Sequence, residues 1–196
     1  MKILLASHNA HKAAEVADIL AGTGLEVVNL SDFPEITELG EDHDTFTANA
    51  LQKAREAHAA TGLLVVADDS GIEVDALNGA PGVHSKRFSE QATAEANNTL
   101  LLEKLDSVTN RTARFRCVIA VVGDGLECIA AGSCEGTIAL ERTGEGGFGY
   151  DPLFLPDEAP GRSMAELSAA EKNAISHRGR AFEQLPELLK NLKTAT

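Results

Sequence analysis

Short apolar runs define the predicted strands in the first half of the chain. Residues 2–6 and 63–67 are each dominated by aliphatic side chains. Continuous runs of this length are typical of strands buried on both faces of a sheet, and residues 25–30 predict a further strand. After the polar residues 68–71, Ile72, Val74 and Ala76 alternate with Glu73 and Asp75. This alternation predicts a break in the chain at 68–71 and then a second strand with one solvated face.

Apolar residues at helical spacing lie between and after these runs. A first helix is predicted from Asn9, an N-cap residue, to about residue 21, because one face carries apolar residues at i, i+3, i+4 and i+7: Ala13, Val16, Ala17 and Leu20. Further helices are predicted to begin at a cap, Asp44 or Thr45, and end at residue 61, to run from Thr93 to about residue 106, and to start at the capping box Ser168–Glu171. A last helix at 180–192 is expected to be interrupted or kinked by Pro186.

The second half of the chain predicts more strands and two glycine-rich loops. Residues 112–122 and 126–132 are expected to pair around a turn at 123–125, and 136–140 to form a separate strand. Residues 77–89 and 143–152 predict loops. The second loop contains Gly144, Gly146 and Gly149, but Pro152 indicates extended chain where a dinucleotide-binding motif must open a helix. Its glycines either let the backbone approach a ligand or belong to an ordinary surface loop.

Composition narrows the possible functions. The 196 residues suit one domain with a substantial core, and 17 Lys and Arg against 30 Asp and Glu give a net charge of −13. This charge argues against binding long nucleic acid, which needs a positive field. Cys117, Cys128 and Cys134 fit no zinc or redox spacing, which favours a reduced cytoplasm. We expect neither a signal peptide nor a membrane span.

Two adjacent carboxylates follow the buried run at 63–67. Ligands of open α/β sheets bind at the carboxyl ends of strands, where Asp68 and Asp69 lie. Neighbouring strand residues point to opposite faces, so the two carboxylates are predicted to have different functions. The simpler interpretation is a turn, at Ser70 and Gly71, that happens to be acidic.

The start of the first predicted helix is a candidate anion site. Its polar residues run from Ser7 to Lys12, and free N–H groups at a helix start favour anions. An ordinary capped helix with a solvated lysine explains the same pattern. His8 and His11 lack a third partner for zinc.

Other charged residues are ambiguous when taken singly. Residues 41–44 (Glu-Asp-His-Asp) are interpreted as a solvated stretch, since no calcium-binding pattern fits. Lys53 is either solvated or part of a site. His177 and Arg178 are either solvated or present two donors to a base or a phosphate.

The order of these segments along one chain is more specific than any one of them. It comprises S-x-N-x-x-K at 7–12, Glu38 with Gly40, T-F-x-x-N-A-x-x-K at 45–53, D-D-S-G at 68–71, G-A-P-G at 79–82, G-G-F-G-Y-D-P at 146–152, E-K at 171–172 and S-H-R-G at 176–179. Nearly the whole chain closely resembles the Ham1/RdgB family of nucleoside triphosphate pyrophosphatases. Family members commonly have Gly where this chain has His11, and fewer residues between Glu38 and Thr45.

This resemblance implies an activity and a fold. The activity is hydrolysis of ITP, dITP and XTP at the α–β phosphoanhydride, giving a nucleoside monophosphate and pyrophosphate, with Mg²⁺ as cofactor and a homodimer as the assembly. The fold is mixed α/β, a twisted sheet flanked by helices, with residues 1–196 in one domain of two lobes and the active site in the cleft between them.

The resemblance also implies site residues. Asp69 is the expected proton acceptor, with Lys12 and Asp68 as further catalytic residues, and Glu38 and Asp69 are the expected Mg²⁺ ligands, since Mg²⁺ prefers hard carboxylate oxygens. The expected substrate-binding residues are Ser7, His8, Asn9, Ala10, His11, Lys12, Lys53, Ser70, Phe148, Gly149, Tyr150, Asp151, Lys172, His177 and Arg178.

Two alternatives stay open on the sequence. One is a Maf-like nucleotide pyrophosphatase acting on dTTP or UTP. The other is a nucleotide sensor without catalysis, which the presence of two aspartates and Lys12 disfavours, since binding alone needs no base that activates water.

Overall fold

The structure, a computed structural model, describes residues 1–193. Its six strands form one mixed sheet in the order β2-β1-β3-β4-β5-β6. They are β1 (Lys2–Leu5), β2 (Glu26–Asn29), β3 (Val65–Val74), β4 (Thr112–Gly123), β5 (Leu126–Ile138) and β6 (Phe154–Pro156). β1 is parallel to β2 and β3, and β6 is antiparallel to β5. The predicted α/β class is confirmed.

Six helices accompany the sheet in the described residues: α1 (Ala10–Ile19), α2 (Phe46–Thr61), α3 (Ala94–Lys104), α4 (Ala169–Ile175), α5 (His177–Phe182) and α6 (Leu185–Lys193). The predicted N-caps Asn9, Thr45, Thr93 and Ser168 all accept hydrogen bonds from the first turn of their helices. No helix in residues 1–193 combines the length and the apolar character needed to cross a membrane.

Two predicted boundaries are wrong: β3 runs through residues 68–71 without a break, and β5 is one strand where two were expected. The expected interruption of the last helix near Pro186 is confirmed, since α5 ends at Phe182 and Pro186 lies in the first turn of α6, where its missing N–H costs no hydrogen bond. The loop at 77–89 also contains a 3-10 helix, Gly82–Arg87.

The chain divides into two compact units. Of the described residues, the first comprises 1–69, 117–132 and 178–193, and the second comprises 70–116 and 133–177. In the first unit α1, α5 and α6 pack on strands through a core that includes Ile3, Leu5, Val16, Leu20, Val66, Ile119, Phe182 and Leu185. The core of the second unit includes Ile72, Leu101, Leu105, Phe115, Ile138 and Phe154. The unit boundaries fall inside the D-D-S-G and S-H-R-G segments.

Candidate active site

Asp68 is held by cations in the first unit. Its Oδ2 lies 2.8 Å from Nζ of Lys12, at the start of α1, and 3.4 Å from Nη2 of Arg178, in α5. The Asp68 side chain is fully buried, and Arg178 also pairs with Glu15 of α1 at 2.7 Å. One carboxylate therefore ties two helices to the end of a buried run, which explains why the strand does not break there.

The charges around Asp68 keep it ionised. Burial raises the pKa of a carboxyl group, but the positive charges of Lys12, Arg178 and Lys53 outweigh burial and lower the pKa of Asp68 well below its usual range. The same carboxylate opposes the effect of burial on Arg178 and raises the pKa of its guanidinium. Asp68 thus acts as a permanent anion.

Asp69 contacts a different set of residues. Its Oδ1 lies 3.2 Å from Nζ of Lys53, and its Oδ2 accepts a hydrogen bond from Nδ2 of Asn49 at 3.1 Å. Both partners lie on α2, four residues apart. The Lys53 ammonium also contacts Oε1 of Glu41 at 2.7 Å. The two neighbouring aspartates thus face different surroundings, and their different functions stay a prediction.

The balance of charges at Asp69 favours its protonated form more than at Asp68. Burial is the largest effect and raises the pKa of Asp69, with a smaller contribution in the same direction from Glu41, while Lys53, Lys12 and Asn49 act against it. The net pKa is raised, which makes Asp69 the better proton acceptor of the pair. Burial lowers the pKa of Lys53, but the negative charges of Asp69, Asp68 and Glu41 together outweigh burial. The net pKa of Lys53 is therefore raised, and its ammonium stays charged.

The start of α1 differs in part from expectation. The N–H groups of His11 and Lys12 donate to Oδ1 of Asn9 at 3.0 and 3.3 Å, and the N–H of Asn9 donates to Oγ of Ser7 at 3.2 Å. The expected free N–H groups are therefore already bonded at these positions, because Asn9 caps the helix. Lys12, half-buried, supplies the positive charge of this segment; His8, Ala10 and His11 are exposed.

Glu41, interpreted from sequence as part of a solvated stretch, lies close to Asp69 through their shared partner Lys53. Glu38 lies three residues earlier and is exposed. Its expected role at a metal stays a prediction. The sequence carries no signal for this contact, because residues 40–43 follow neither a helical nor a strand pattern.

The Asp69 and Glu41 carboxylates fit a divalent cation. Both already converge on one cationic group, the Lys53 ammonium. Their oxygens are the hard donors that Mg²⁺ prefers, and Mg²⁺ is usually held by one or two carboxylates. Asn49 fixes one Asp69 oxygen from behind, as outer contacts of metal sites do.

The second unit carries a separate polar and aromatic cluster. Nζ of Lys172 lies 2.6 Å from Oδ2 of Asp151 and 4.8 Å from the centre of the Phe148 ring. The N–H of Phe148 donates to the same Asp151 oxygen at 2.7 Å. At Gly147, whose φ is +69°, a Cβ would collide with the Asp151 carboxylate. The close approach seen at Gly147 is therefore to a side chain of the same loop, and the approach of this glycine-rich loop to a ligand stays a prediction.

Other predicted residues lie in the second unit as well. The buried Tyr150 donates from its hydroxyl to the carbonyl of Ser85 at 2.8 Å. The carbonyl of Gly149 accepts from Asn98 at 2.9 Å. The His177 ring is buried and stacks on Phe115, with ring centres 4.7 Å apart. Ser70 lies half-buried in β3.

Together these features define an α/β protein with paired buried carboxylates beside lysine and arginine, the chemistry of a site for phosphorylated ligands. Residues 3–188 match the Ham1 family. A dITP/XTP pyrophosphatase of Desulforamulus reducens is 50% identical over 98% of this chain and 97% of that protein, and one of Nitratidesulfovibrio vulgaris is 51% identical over 95% and 94%. The solved HAM1 protein of Coxiella burnetii superposes with a TM-score of 0.87 at 42% identity, over 97% of this chain and 99% of that one. The chain belongs to the Ham1 family.

Proposed function

We propose that this protein hydrolyses ITP, dITP and XTP to the nucleoside monophosphate and pyrophosphate. The observation that carries the proposal is the pair of neighbouring buried carboxylates, Asp68 with its pKa lowered and Asp69 with its pKa raised. Two carboxyl groups whose pKa values differ in this way suit two functions, one as a permanent anion and the other as a base. The relatives named dITP/XTP pyrophosphatase supply the substrate class.

The residues of the first unit are assigned to the triphosphate. The water oxygen forms a bond to the α-phosphorus, the bond from that phosphorus to the α–β bridging oxygen breaks, pyrophosphate leaves with the bridging oxygen, and the water proton passes to a carboxylate oxygen of Asp69. Asp68 holds Lys12 and Arg178 in place, and Lys12 binds phosphate oxygens. Lys53 holds Asp69 and Glu41 together.

We assign Mg²⁺ to Asp69 and Glu41, with Glu38 as the ligand expected from sequence alone. Bound Mg²⁺ would screen the charge of the triphosphate and make water more acidic. The other residues expected near the phosphates are Ser7, His8, Asn9, Ala10 and His11.

The cluster of the second unit is assigned to the base. The Phe148 ring, whose centre lies 4.8 Å from Nζ of Lys172, is the aromatic surface assigned to stack on a purine. Ammonium and amide donors suit the oxygen at C6 of hypoxanthine and xanthine, whereas adenine carries an amino group there. A mismatched buried polar group costs about 1–3 kcal/mol. The expected order is ITP and XTP, then GTP, then ATP.

A product assay tests the proposal. The protein is incubated with Mg²⁺ and ITP, XTP, GTP, ATP or dTTP, and the products are separated by anion exchange. We expect IMP and pyrophosphate from ITP. Release of IDP and phosphate would contradict the reaction, preference for dTTP would favour the Maf-like alternative, and binding of ITP without turnover would favour a sensor.

Assembly and compartment belong to the same proposal. We propose a homodimer, whose interface must overcome the repulsion of two chains of charge −13; a monomer mass by light scattering at micromolar concentration would contradict it. The free state of all three cysteines supports the reducing cytoplasm as the compartment. We also retain one functional domain, residues 1–196.

A further inference from the structure

The segment that carries Glu41 lies along one face of α2. Residues 40–43 belong to neither a helix nor a strand, so their backbone N–H groups need partners elsewhere. Side chains of α2 at i, i+3, i+4 and i+7 contact this segment, and such residues share one helix face: Asn49, Gln52, Lys53 and Glu56. The segment is therefore fastened along two turns of the helix.

Gln52 and Glu56 form a linked pair of contacts. The N–H of Gly40 donates to Oε2 of Glu56 at 2.8 Å, and the N–H of Asp42 donates to Oε1 of Gln52 at 3.4 Å. Nε2 of Gln52 donates to Oδ2 of Asp42 at 3.1 Å and to Oε1 of Glu56 at 3.0 Å. We call this pair of side chains the strap.

The four α2 side chains divide by what else they contact. Asn49 and Lys53 contact both the segment and Asp69. Within residues 1–193, Gln52 and Glu56 hydrogen-bond to the segment and to each other. The strap therefore lies outside the groups assigned to the reaction, yet it holds the residues on either side of Glu41.

Gly40 provides a second observation of this close contact. A Cβ added at Gly40 would overlap Nε2 of Gln52 and would lie 2.7 Å from Cδ of Gln52 and 3.0 Å from Oε1 of Glu56. The atoms in its way are the ends of flexible side chains. An alanine at position 40 would therefore displace the strap rather than distort the backbone of the helix.

We propose that Gln52 and Glu56 are positioning residues that hold the Glu41 carboxylate beside Lys53 and Asp69. The inference rests on the proposed function, in which Glu41 and Asp69 bind Mg²⁺. The Glu41 side chain is one-third exposed, so without the strap its segment has nearby solvent to move into. Metal binding must then order the segment, and this lost freedom weakens the affinity.

The test uses Mn²⁺ in place of Mg²⁺ and measures its affinity by electron paramagnetic resonance on the full chain without nucleotide. The double variant Gln52→Ala/Glu56→Ala should bind Mn²⁺ about tenfold more weakly, the lower end of what lost outer contacts cost a metal site. Backbone amides at 40 and 42 should exchange hydrogen faster. Gly40→Ala should reproduce both effects, and it serves alone if the double variant does not fold.

Two controls separate positioning from general stability. Glu56→Gln keeps an oxygen acceptor for the N–H of Gly40 but loses the one for Nε2 of Gln52, so it should lose less Mn²⁺ affinity than the double variant. Arg55→Ala removes an α2 side chain that pairs with Glu127 instead, and it should leave Mn²⁺ affinity unchanged. Unchanged affinity in the double variant, or an equal loss in Arg55→Ala, would overturn the inference.

Asp69→Asn distinguishes failure of the strap inference from failure of the metal assignment. If Asp69→Asn weakens Mn²⁺ binding and the strap variants do not, the strap inference fails and the metal assignment stands. If the parent chain binds no Mn²⁺, or Asp69→Asn binds it as tightly as the parent, the metal assignment fails and the strap inference fails with it.

Discussion

The two faces of β3 at Asp68 and Asp69 carry opposite balances of charge and burial. On one face, the fully buried carboxylate of Asp68 contacts Lys12 and Arg178, and the attraction of these cations lowers its pKa by more than burial raises it. On the other face, the carboxylate of Asp69 contacts Lys53 and Asn49, and burial raises its pKa by more than these contacts lower it. One covalent step along a strand thus separates a carboxylate built to stay charged from one suited to accept a proton.

The difference also separates stability from chemistry. Removing a charge from a buried, paired group leaves its partner uncompensated, and this is costly. Removing a charge from a proton acceptor affects turnover directly. Substitutions on the two faces should therefore be told apart by which measurement they change.

The largest effect is expected at Asp69. Asp69→Asn keeps the shape and its contact with Asn49 can be re-formed, but the base is lost, so kcat for ITP should fall at least ~10²-fold. Steady-state kinetics with saturating Mg²⁺ checks this, and urea unfolding should show a folded protein. Near-parent kcat would refute the assignment of Asp69.

Asp68→Asn should change stability most. Arg178, with 2% of its side chain exposed, loses one of its two carboxylate partners, so the free energy of unfolding should fall by about 3 kcal/mol, the lower end for a broken buried pair. Urea titration followed by circular dichroism measures this. A loss no larger than that of Arg55→Ala, which breaks an exposed pair, would show that the Asp68 contacts contribute little.

A smaller effect is expected from the second metal-binding carboxylate, which is either Glu41 or Glu38. Glu41→Gln should weaken Mn²⁺ binding by about tenfold or more, because Glu41 shares Lys53 with Asp69. Glu38→Gln is the matched variant three residues away on an exposed position. If Glu38→Gln weakens Mn²⁺ binding more than Glu41→Gln does, the sequence expectation for Glu38 is right and the assignment of Glu41 is wrong.

Lys12→Ala tests the link from the Asp68 face to the substrate. The Lys12 ammonium, on a side chain that is 16% exposed, is expected to bind the outer phosphates, and a hydrogen bond to a charged group is worth about 1.5–3 kcal/mol. Affinity for ITP, measured by calorimetry in Ca²⁺, should therefore fall about tenfold or more, while affinity for IMP changes little. Equal losses for both ligands would place Lys12 away from the outer phosphates.

Local signals predicted the helices well. Asn9, Thr45 and Ser168 cap their helices through bonds made within three residues, so a single sequence contains all that is needed. The hairpin turn at residues 123–125 is local for the same reason, with Gly125 at φ +67°.

The strand at residues 68–71 could not be predicted by the same means. Two adjacent aspartates followed by Ser and Gly favour a turn when read locally. In the fold, Lys12 and Arg178 come from 56 and 110 residues away and compensate the buried Asp68 charge. Tertiary partners override the local preference, and no periodicity in the sequence reveals them. The contact of Glu41 with Lys53 escaped prediction likewise, because residues 40–43 have no pattern of their own.

The most direct test of the division between the two faces is turnover per folded molecule. Active protein is counted by the folded fraction from circular dichroism, and ITP hydrolysis is measured at saturating Mg²⁺ for Asp68→Asn and Asp69→Asn side by side. We expect Asp68→Asn to retain at least about tenfold more turnover per folded molecule than Asp69→Asn, since only Asp69 accepts the proton. Equal turnover, or lower turnover in Asp68→Asn, would contradict the account.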